Sequence, residues 1–420
     1  MIDIKLLREA PERYRTAAAE KGIAVDINRL LEIDQLLREL QQELDALRQQ
    51  RNDLAKEKNT NPEKGKMLKE MAKAKEAEMR LMEGEHRELL LQVPNFPSPE
   101  SPVGKDASAN VQIERWGKPK EFGFPIKDHI ALGKELDIVD FERGVKIHGF
   151  RGYILKNEAV LLQQAVLQLA LQKMRKAGFI PIIPPVLVKE FALYGSGHFP
   201  FGREEVFEIK NTEDKEAKDR LYLAGTSEPS LLALHADEML EETALPLRYC
   251  AVTPCYRSEV GSYGKDTKGL YRIHEFMKVE QVIICRNDLA EAEGFFNEME
   301  GIAREMLQDL ELPYRVMNVS TGDMGAGKYK MHDIETWMPS RKGYGETHSN
   351  SLLTDWQARR LNIKYRNTLG EKQYPYTLNN TVIASPRILI AILENHQQAD
   401  GSVAIPKILQ PLCGFDRITH

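Results

Sequence analysis

Hydrophobic residues recur in alternating steps of three and four along the segment 28–58. They stand at Leu30, Ile33, Leu37, Leu40, Leu44, Leu47 and Leu54, and Arg51 occupies the remaining position of the same stripe. This spacing places one apolar seam along a helix, and its persistence over about four heptads is typical of a coiled coil. We therefore predict a long helix that packs against a partner helix.

A second helical stretch runs from Lys64 to Gln92 and is rich in Lys, Glu, Met and Ala. Its apolar seam is weaker and passes through Met71, Met82 and Leu89. Between the two stretches, the sequence NTNP at 59–62 predicts a break, because proline ends helices and asparagine favours turns. Residues 28–92 are therefore predicted to form an antiparallel hairpin, about 45 Å long, that projects into solvent.

A proline-rich segment at 93–110 follows the hairpin and predicts a stiff, extended linker. Beyond it the pattern changes. Strand-like apolar runs at 153–160, 179–188, 247–257 and 279–285 alternate with helical stretches at 161–178 and 289–310. We predict an α+β fold, with an N-terminal domain over 1–110 and a second domain over 111–420 in which helices flank an antiparallel sheet.

Composition narrows the class of protein. Hydrophobic residues make up 42% and charged residues 29%, as in a soluble globular protein. No run approaches the roughly 18 apolar residues of a membrane span, and the N-terminus lacks the apolar core of a secretory signal. The four cysteines include no C-x-x-C pair. We therefore expect a cytoplasmic protein with reduced thiols and no membrane partner.

The distribution of charge suggests a polyanionic partner. The net charge of −5 argues mildly against nucleic acid, but residues 48–75 at the hairpin tip carry nine positive and four negative side chains. Clustered Lys and Arg gain affinity for phosphates through the release of counterions. A solvated coiled coil with no such partner has the same composition, so both interpretations stay open at this point.

One motif is misleading. The sequence GDMGAGK at 322–328 matches the first seven positions of a P-loop, but Tyr329 stands where a small hydroxyl residue must hold Mg²⁺. The residues that follow have the pattern of a strand and not of the required helix. We predict a glycine-rich turn. No G-x-G-x-x-G follows a strand either, so the sequence does not favour a Rossmann fold.

The segment 253–280 carries the strongest candidate chemistry. Two strand-like runs flank a loop rich in Gly, Lys and Asp, and charged residues stand at the strand ends. Such an arrangement suits a site that clamps a polyphosphate and then releases it. The guanidinium of Arg257, with five donors in a fixed fork, is able to neutralise both a phosphate and a carboxylate. A surface hairpin with solvated charges remains the alternative.

This segment resembles motif 2 of class II aminoacyl-tRNA synthetases in its seryl form, where RSE, a glycine-charged loop and R-x-H-x-F-x-K-V-E recur. Gly178-Phe179 followed by Pro184-Pro185 is similar to motif 1, which builds the dimer interface in that family. Residues 377–397 are similar to motif 3, and the triplet 226–228 matches the serine-binding T-x-E. The resemblance extends from MIDIKLLREAP through the hairpin and VPNFPSP to the end of the chain. It implies a class II catalytic domain over 111–420 and a homodimer.

The resemblance also implies a role for each matched residue. The residues implied for L-serine are Thr226, Ser227, Glu228, Arg257, Glu280, Asn379 and Thr381. Those implied for ATP are Arg257, Ser258, Glu259, Ile273, Phe276, Glu346, Thr347, His348, Ser349 and Arg387. Arg257, Arg272 and Arg387 are implied to be catalytic, and Glu346 and Ser349 to hold Mg²⁺.

The segment 346–355 departs from the family pattern. It reads ETHSNSLLTD where many members have E-V-S-S-x-S-N-C-T-D. Glu346 and Ser349 are retained, whereas the contacts of Thr347 and His348 are left open. His348 is not expected to bind zinc, because no cysteine or second histidine lies near it in sequence.

The function implied is ATP-dependent attachment of L-serine to tRNA-Ser, and to tRNA-Sec where that tRNA exists, through a seryl-adenylate. One alternative is a synthetase-like ligase that loads a carrier protein, but such relatives lack the long arm. Another is a non-catalytic paralogue, which predicts damage at Arg257, Glu280 or Arg387, and all three are present. A third treats the hairpin as a dimerisation device, which predicts an apolar seam on both helices.

Overall fold

The computed structural model of the chain describes residues 1–56, 62–210, 220–260 and 268–420. These residues form two compact units, an N-terminal unit, Met1–Phe96, and a C-terminal unit, Pro97–His420. The predicted domain boundary after residue 110 stays a prediction.

Helices make up the N-terminal unit. In its described residues they are α1 (Ile4–Glu9), α2 (Pro11–Glu20), α3 (Ile27–Lys56) and α4 (Pro62–Gln92). Arg29 near the start of α3 pairs with Glu85 near the end of α4 at 2.8 Å, and Arg48 pairs with Glu76 at 3.0 Å. Since partner numbers fall along α4 as they rise along α3, the two helices are antiparallel, which confirms the predicted hairpin.

The seam of α3 is largely as predicted. Leu30, Ile33, Leu40 and Leu44 are buried, whereas Leu37, Leu47 and Leu54 are half-buried and Arg51 is exposed.

The predicted seam of α4 was wrong at Met71, which is 47% exposed. Leu68, Ala72 and Leu90 are buried instead. Leu68 and Ala72 are four residues apart and lie about 40° from each other on one face of the helix, whereas Met71 lies about 60° from Leu68 and about 100° from Ala72, at the edge of that face. The predicted break at 59–62 falls mainly on residues outside the described ranges. The helix begins at Pro62, where the missing N–H of proline removes no helical hydrogen bond.

An eight-stranded sheet forms the centre of the C-terminal unit. In spatial order its strands are β1 (Val111–Trp116), β11 (Tyr314–Asn318), β12 (Lys330–Met338), β13 (Gly343–Thr354), β16 (Tyr376–Ala384), β10 (Glu275–Cys285), β9 (Leu247–Tyr256) and β4 (Ile180–Ile182). All neighbouring strands are antiparallel except β4 and β9, which are parallel. The sheet agrees with the predicted α+β class.

Four small sheets and several helices surround the large sheet. The small sheets contain β2 (Val139–Asp140) with β3 (Ile154–Leu155); β5 (Leu187–Lys189), β7 (Leu221–Leu223) and β6 (Phe207–Ile209); β8 (Met239–Glu241), β14 (Lys364–Arg366) and β15 (Lys372–Gln373); and β17 (Val403–Ala404) with β18 (Arg417–Ile418). The described α-helices are α5 (His129–Glu135), α6 (Phe141–His148), α7 (Asn157–Lys176), α8 (Glu190–Ser196), α9 (Glu228–Ala233), α10 (Leu289–Asp309), α11 (Trp356–Leu361), α12 (Arg387–Asn395) and α13 (Gln410–Cys413). Short 3₁₀ turns lie at Ala107–Ala109, Arg203–Glu205, Glu242–Ala244 and Pro339–Arg341.

The main core lies between the sheet and helices α7, α10 and α12. Leu162 of α7, Phe296 of α10 and Ile390 of α12 belong to one buried cluster with Val279 and Ile283 of β10. Strand β10 is buried along most of its length, so side chains near its N-terminal end are held on a rigid element.

Most of the elements predicted in this unit are confirmed. The runs at 247–257 and 279–285 are strands, and those at 161–178 and 289–310 are helical. The strand predicted at 153–160 was wrong beyond Leu155, because α7 begins at Asn157 and its residues Ala159 and Leu162 already follow the helical period.

The glycine-rich turn is also confirmed. A Cβ added at Gly322 would lie 2.3 Å from the carbonyl oxygen of Lys105, so the backbone packs there too closely for a side chain. Strand β12, and not a helix, follows at Lys330, and the P-loop interpretation is therefore excluded.

Candidate active site

Residues of β10 and β16 form the floor of the candidate site. Phe276, Lys278 and Glu280 alternate along β10, so their side chains point to the same face of the sheet. The register of the two strands places Thr381 directly opposite Glu280. Because directly opposed residues have Cβ atoms about 5 Å apart, these two side chains are able to contact one small ligand together.

A cavity opens above this floor. Its lining consists of His198, Thr226, Glu228, Arg257, Glu259, Tyr271, Ile273, Phe276, Lys278, Glu280, Lys328, Glu346, Thr347, Ser349, Asn379, Thr381, Ala384, Ser385, Pro386 and Arg387. Most of the residues that the sequence predicted for serine, ATP and Mg²⁺ are therefore brought together from elements far apart in the chain. Because positively and negatively charged groups both line the cavity, it suits a ligand that carries both positive and negative charge.

Two arginines of this cavity are held in place by backbone carbonyl oxygens, and each lies near an aromatic ring, Arg257 near Phe276 and Arg387 near Tyr271. The Nε of Arg257 donates to the carbonyl oxygen of Gly225 at 3.2 Å, and its guanidinium lies 5.4 Å from the ring centre of Phe276. The Nε of Arg387 donates to the carbonyl oxygen of Tyr271 at 3.0 Å, and its Nη1 donates to that of Glu346 at 2.9 Å. Guanidiniums held in this way present their charge without needing to reorganise when an anion binds.

Glu259 lies at the same end of the cavity in an unusual backbone conformation. Its φ is +53°, a left-handed value that costs free energy for a residue other than glycine. Arg272 donates to its carboxylate at 2.9 Å, and Arg151 lies 3.4 Å from it. Burial raises the pKa of Glu259, but the hydrogen bond and charge of Arg272 outweigh burial and lower it. The carboxylate is therefore ionised at neutral pH and fixed as a hydrogen-bond acceptor.

The opposite end of the cavity contains a buried ion pair. Lys278 and Glu280 are 5% and 3% exposed and contact each other directly, and the Nζ of Lys278 also donates to the Oγ1 of Thr226 at 2.7 Å. Burial raises the pKa of Glu280, and Lys278 opposes this rise, while the charge of Glu228 adds to it. Removing either member of such a buried ion pair is strongly destabilising, because the remaining charge would be buried without an opposite charge.

Glu228 is fixed by two amide groups. Its Oε1 accepts a hydrogen bond from Gln357 at 2.6 Å and another from Asn379 at 2.7 Å. The Oε1 of Gln357 accepts in turn from the hydroxyl of Thr377 at 2.6 Å. These hydrogen bonds hold the carboxylate at the wall of the cavity.

A second buried network fixes the C-terminal end of the motif 2 loop. The backbone N–H of Leu270 donates to Nε2 of His129 at 3.1 Å, so the proton of this imidazole is on Nδ1. That nitrogen lies 2.9 Å from Glu394, which is fully buried in α12. The loop that leads to Tyr271 and Arg272 is thereby tied to motif 3.

Four residues predicted for the site do not line the cavity. Arg272 lies behind Glu259 as its ion-pair partner, and Ser258 donates from its hydroxyl to the carbonyl oxygen of Glu204 at 2.7 Å. Ser227 is buried at the start of α9.

His348 is the fourth. It is 1% exposed, and its Nε2 lies 3.0 Å from the carbonyl oxygen of Val382. Burial lowers its pKa to about 4, so it is a neutral packing residue at pH 7. The roles predicted for these four residues stay predictions.

Several lining residues were not predicted as site residues. Lys278 had a usable signal, because it stands between Phe276 and Glu280 at strand spacing, and Ser385-Pro386 directly precede Arg387. Lys328 belongs to the glycine-rich turn whose P-loop interpretation was rejected. His198 follows α8 and had no signal in the sequence, since only the folded chain brings that segment beside Glu228 and Lys328.

Comparison with known proteins first identifies the class of protein. Residues 207–396 match the family model described as the tRNA synthetase class II core domain (G, H, P, S and T). Residues 1–97 match the model described as the seryl-tRNA synthetase N-terminal domain.

Full-length relatives then give the family. A serine–tRNA ligase of Deinococcus radiodurans is 44% identical over 99% of this chain and 98% of its own length. The crystal structure of seryl-tRNA synthetase from Pyrococcus horikoshii complexed with ATP has a TM-score of 0.90, with 37% identity and coverage of 100% of this chain and 99% of that one. The Naegleria fowleri cytoplasmic enzyme in complex with AMP has a TM-score of 0.88 and 29% identity, with the same coverage. The chain belongs to the seryl-tRNA synthetase family.

Among the helices of the described residues, none has both the length and the apolar character needed to cross a bilayer.

Proposed function

We propose that this protein attaches L-serine to tRNA-Ser at the expense of ATP, through a seryl-adenylate. The observation that carries the proposal is one cavity with two chemically different ends. Arg257, Arg387 and Phe276 at one end suit a nucleotide phosphate and base, while Glu228, Glu280 and Thr381 at the other suit a small amino acid. Relatives of full length that are described as serine–tRNA ligases support the same activity.

The first step joins the two substrates. A carboxylate of serine is ionised at neutral pH and needs no general base. Its oxygen attacks the α-phosphorus of ATP, the new P–O bond forms, and the bond to pyrophosphate breaks. Arg257 is placed to neutralise both the carboxylate and the α-phosphate, and Arg387 to neutralise the leaving pyrophosphate. Catalysis then consists of positioning and charge stabilisation.

Glu346 and Ser349 fit the Mg²⁺ that such a reaction uses. The side chain of Glu346 is 47% exposed and only 3.4 Å from Arg387, and both Glu346 and Ser349 line the cavity. Proteins usually hold Mg²⁺ through one or two of their own oxygen atoms together with the phosphates of the substrate. When bound, the ion would neutralise phosphate charge. Glu346 would then contact the metal instead of pairing with Arg387, and Arg387 would become available to bind phosphate.

Selection of serine follows from the opposed pair Glu280 and Thr381. Both offer oxygen acceptors to a ligand hydroxyl at the end of the cavity. Alanine and glycine lack that hydroxyl and would leave these buried groups unpaired, which permits discrimination by about 10⁴–10⁵.

The second step transfers serine to tRNA. A ribose hydroxyl at the 3′ end attacks the seryl carbonyl, and AMP leaves. The arm formed by α3 and α4 is proposed to grip the tRNA, since one groove on it is lined by Arg51, Lys69, Lys73 and Arg80 and by one acidic residue, Glu76. A groove with four cations suits a phosphate backbone, and this favours tRNA over a carrier protein as the acceptor.

Three further assignments belong to the same proposal. A homodimer is supported by exposed apolar side chains in and beside the segment matched to motif 1, with Ile180 and Ile183 54% and 87% exposed. A cytoplasmic location is supported by four free, buried cysteines. In a source that contains tRNA-Sec, the same enzyme is proposed to charge it with serine.

The test is ATP–pyrophosphate exchange against a panel of amino acids, followed by charging of tRNA-Ser. We expect exchange with serine alone and transfer to tRNA-Ser. Exchange with another amino acid would contradict the assignment of the substrate. Exchange with serine but transfer to a carrier protein would contradict the assignment of the acceptor, and no exchange would favour a non-catalytic paralogue.

A further inference from the structure

A β-bulge on β13 shapes one part of the cavity wall. Consecutive residues of β12 pair with Glu346 and His348, so Thr347 between them is an extra residue of β13. On a regular strand, residues three apart point to opposite faces of the sheet. The extra residue instead brings Glu346 and Ser349 to the same face, and both line the cavity.

A second bulge lies on β16. Consecutive residues of β10 pair with Thr381 and Ile383, so Val382 is the extra residue of this strand. As a result Thr381 and Ala384, which are also three apart, both line the cavity. One bulge therefore places the two residues proposed for Mg²⁺, and the other places the threonine proposed for the serine hydroxyl.

The side chain of His348 joins the two bulges. Its Nδ1 lies 2.8 Å from the hydroxyl oxygen of Thr347, and its Nε2 lies 3.0 Å from the carbonyl oxygen of Val382. Among the described residues, backbone pairing of β13 with β16 runs along β13 from Thr354 to Asn350 and reaches no further. The imidazole therefore connects the two strands beyond the point where their backbone pairing has ended.

The directions of these hydrogen bonds follow from the groups involved. A carbonyl oxygen only accepts, so Nε2 of His348 carries a proton and donates to Val382. Burial lowers the pKa of His348 to about 4, so the ring is neutral at pH 7 and its Nδ1 is an acceptor. The hydroxyl of Thr347 lies 3.2 Å from the carbonyl oxygen of Ile334, but its one proton is needed at Nδ1, where two lone pairs would otherwise face each other. The hydroxyl of Thr336, 2.7 Å away, then donates to Thr347.

These groups lie in the core, since Thr336, Thr347 and His348 are 0%, 4% and 1% exposed. Water does not compete for hydrogen bonds in such a place, and either partner without the other would be a buried polar group left unpaired. Thr347 and His348 are also the two residues at which the start of the segment 346–355 departs from the family pattern. We therefore expect them to act as one unit.

We propose that Thr347 and His348 are positioning residues that hold the two bulges in a fixed relation, so that the metal ligands and the serine-recognition group stay aligned. The pair, named the Thr347–His348 link, acts through Glu346 and Ser349 on one side and Thr381 on the other. It affects ATP through the metal ligands and not by contact with the nucleotide. This inference rests on the proposed function and explains how the two parts of its site are kept together.

The first test uses the full-length protein with Thr347→Val, which removes the hydroxyl at almost constant volume, and Thr347→Ser, which keeps it. Mn²⁺ titrated in the presence of a non-hydrolysable ATP analogue, and followed by electron paramagnetic resonance, reports the metal site. Steady-state pyrophosphate exchange reports KM for serine and kcat. In Thr347→Val, the Kd for Mn²⁺ and the KM for serine should each rise by about tenfold, while kcat and all values for Thr347→Ser should stay within about threefold of the wild type.

A double-substitution cycle tests whether the two residues act together. His348→Leu removes both hydrogen bonds of the imidazole and should raise the same two constants by at least as much as Thr347→Val. Because the link is already broken in His348→Leu, adding Thr347→Val should change its constants by less than about twofold. Independent residues would instead give effects that multiply.

Thr321→Val is the matched control. Thr321 is 0% exposed, its hydroxyl forms hydrogen bonds with the backbone of Gly104, and it does not line the cavity. Loss of this hydroxyl should lower Tm as Thr347→Val does, but it should leave the Kd for Mn²⁺ and the KM for serine unchanged. The control therefore separates a general loss of stability from misplacement of the site.

Four outcomes would overturn the proposal. Unchanged constants in Thr347→Val and His348→Leu would mean that the link positions nothing. Failure of Thr347→Ser to restore them would mean that the hydroxyl is not the group that matters. Multiplying effects in the double variant would mean that the two residues act separately, and weaker binding of the ATP analogue without divalent metal would mean that Thr347 contacts the nucleotide itself. Absence of serine-dependent exchange in the wild type would instead contradict the proposed function.

Discussion

The arm and the active-site cavity use charge in opposite ways. On the arm, ion pairs such as Arg29 with Glu85 and Arg48 with Glu76 join side chains that are all more than 40% exposed. In the cavity, Lys278 and Glu280 form an ion pair at 6% and 3% side-chain exposure. Exposed pairs contribute about 0–1 kcal/mol and are screened by salt, whereas breaking a buried pair leaves an uncompensated charge. We therefore expect the arm to act through the sum of many replaceable charges and the cavity to act through individual charges.

The largest effect that this comparison predicts is that of Arg257→Ala. The substitution removes the cation proposed to contact both the ATP α-phosphate and the serine carboxylate, so serine-dependent pyrophosphate exchange should fall by about 10³-fold. Binding of tRNA-Ser, measured by filter retention, should be unchanged. Arg315→Ala is the control, because Arg315 pairs with Glu335 away from the cavity. Exchange within tenfold of the wild type would show that individual charges do not dominate the site.

Glu280→Ala tests the buried pair itself. Loss of this carboxylate leaves the charge of Lys278 buried without its ion-pair partner and removes the acceptor proposed for the serine hydroxyl. Exchange with serine should fall by about 10²-fold, and the preference for serine over alanine should narrow. Steady-state exchange with both amino acids measures the two effects. An unchanged preference would mean that another group recognises the hydroxyl.

His348→Gln tests how a buried histidine of the C-terminal unit affects the response of stability to acid. The pKa of His348 in the folded protein is lowered to about 4 by burial, so between about pH 6.5 and 4 the unfolded chain binds a proton that the folded chain does not. This contribution to stability is present at pH 7.5 and lost as the pH falls. Between pH 7.5 and pH 5, the free energy of unfolding should therefore fall by about 2 kcal/mol less in the variant than in the wild type.

Urea unfolding at the two pH values measures this difference, with the two proteins compared at each. Removal of the hydrogen bonds to Thr347 and Val382 should also lower the variant's stability at pH 7.5. An equal loss in both proteins would show that His348 is protonated in the folded chain.

The smallest effect is expected on the arm. The double substitution Lys69→Ala with Lys73→Ala removes two cations from the basic groove and should reduce kcat/KM for charging by about tenfold at low salt. Pyrophosphate exchange should stay normal, and the loss of kcat/KM for charging should become smaller as the salt concentration rises. Lys342→Ala with Lys407→Ala is the matched control on exposed positions of the C-terminal unit. A deficit that is independent of salt would contradict the view that the arm acts through summed charge.

Much of the fold could be predicted from the sequence because its signals are local. The heptads of α3, the helix α10 and the strands β9 and β10 follow from residue spacing within a few turns or pleats. The predictions failed where two periods compete over a short stretch, as at 153–160, and in α4, where small and large apolar residues alternate and the buried face passes through Ala72 and not Met71.

The candidate site, like the fold, was predictable from the sequence in part. The resemblance to the synthetase motifs implied most of the residues that line the cavity, and strand alternation keeps two of them, Phe276 and Glu280, on one face.

Only the tertiary structure decided which groups are joined in that cavity. The pairing of Lys278 with Glu280 and Thr226, the position of His198 beside Glu228, and the withdrawal of His348 into the core all depend on contacts between distant segments. The physical reason is that burial and neighbouring charge, which set what an ionisable group does, are properties of the packed chain and not of residue order.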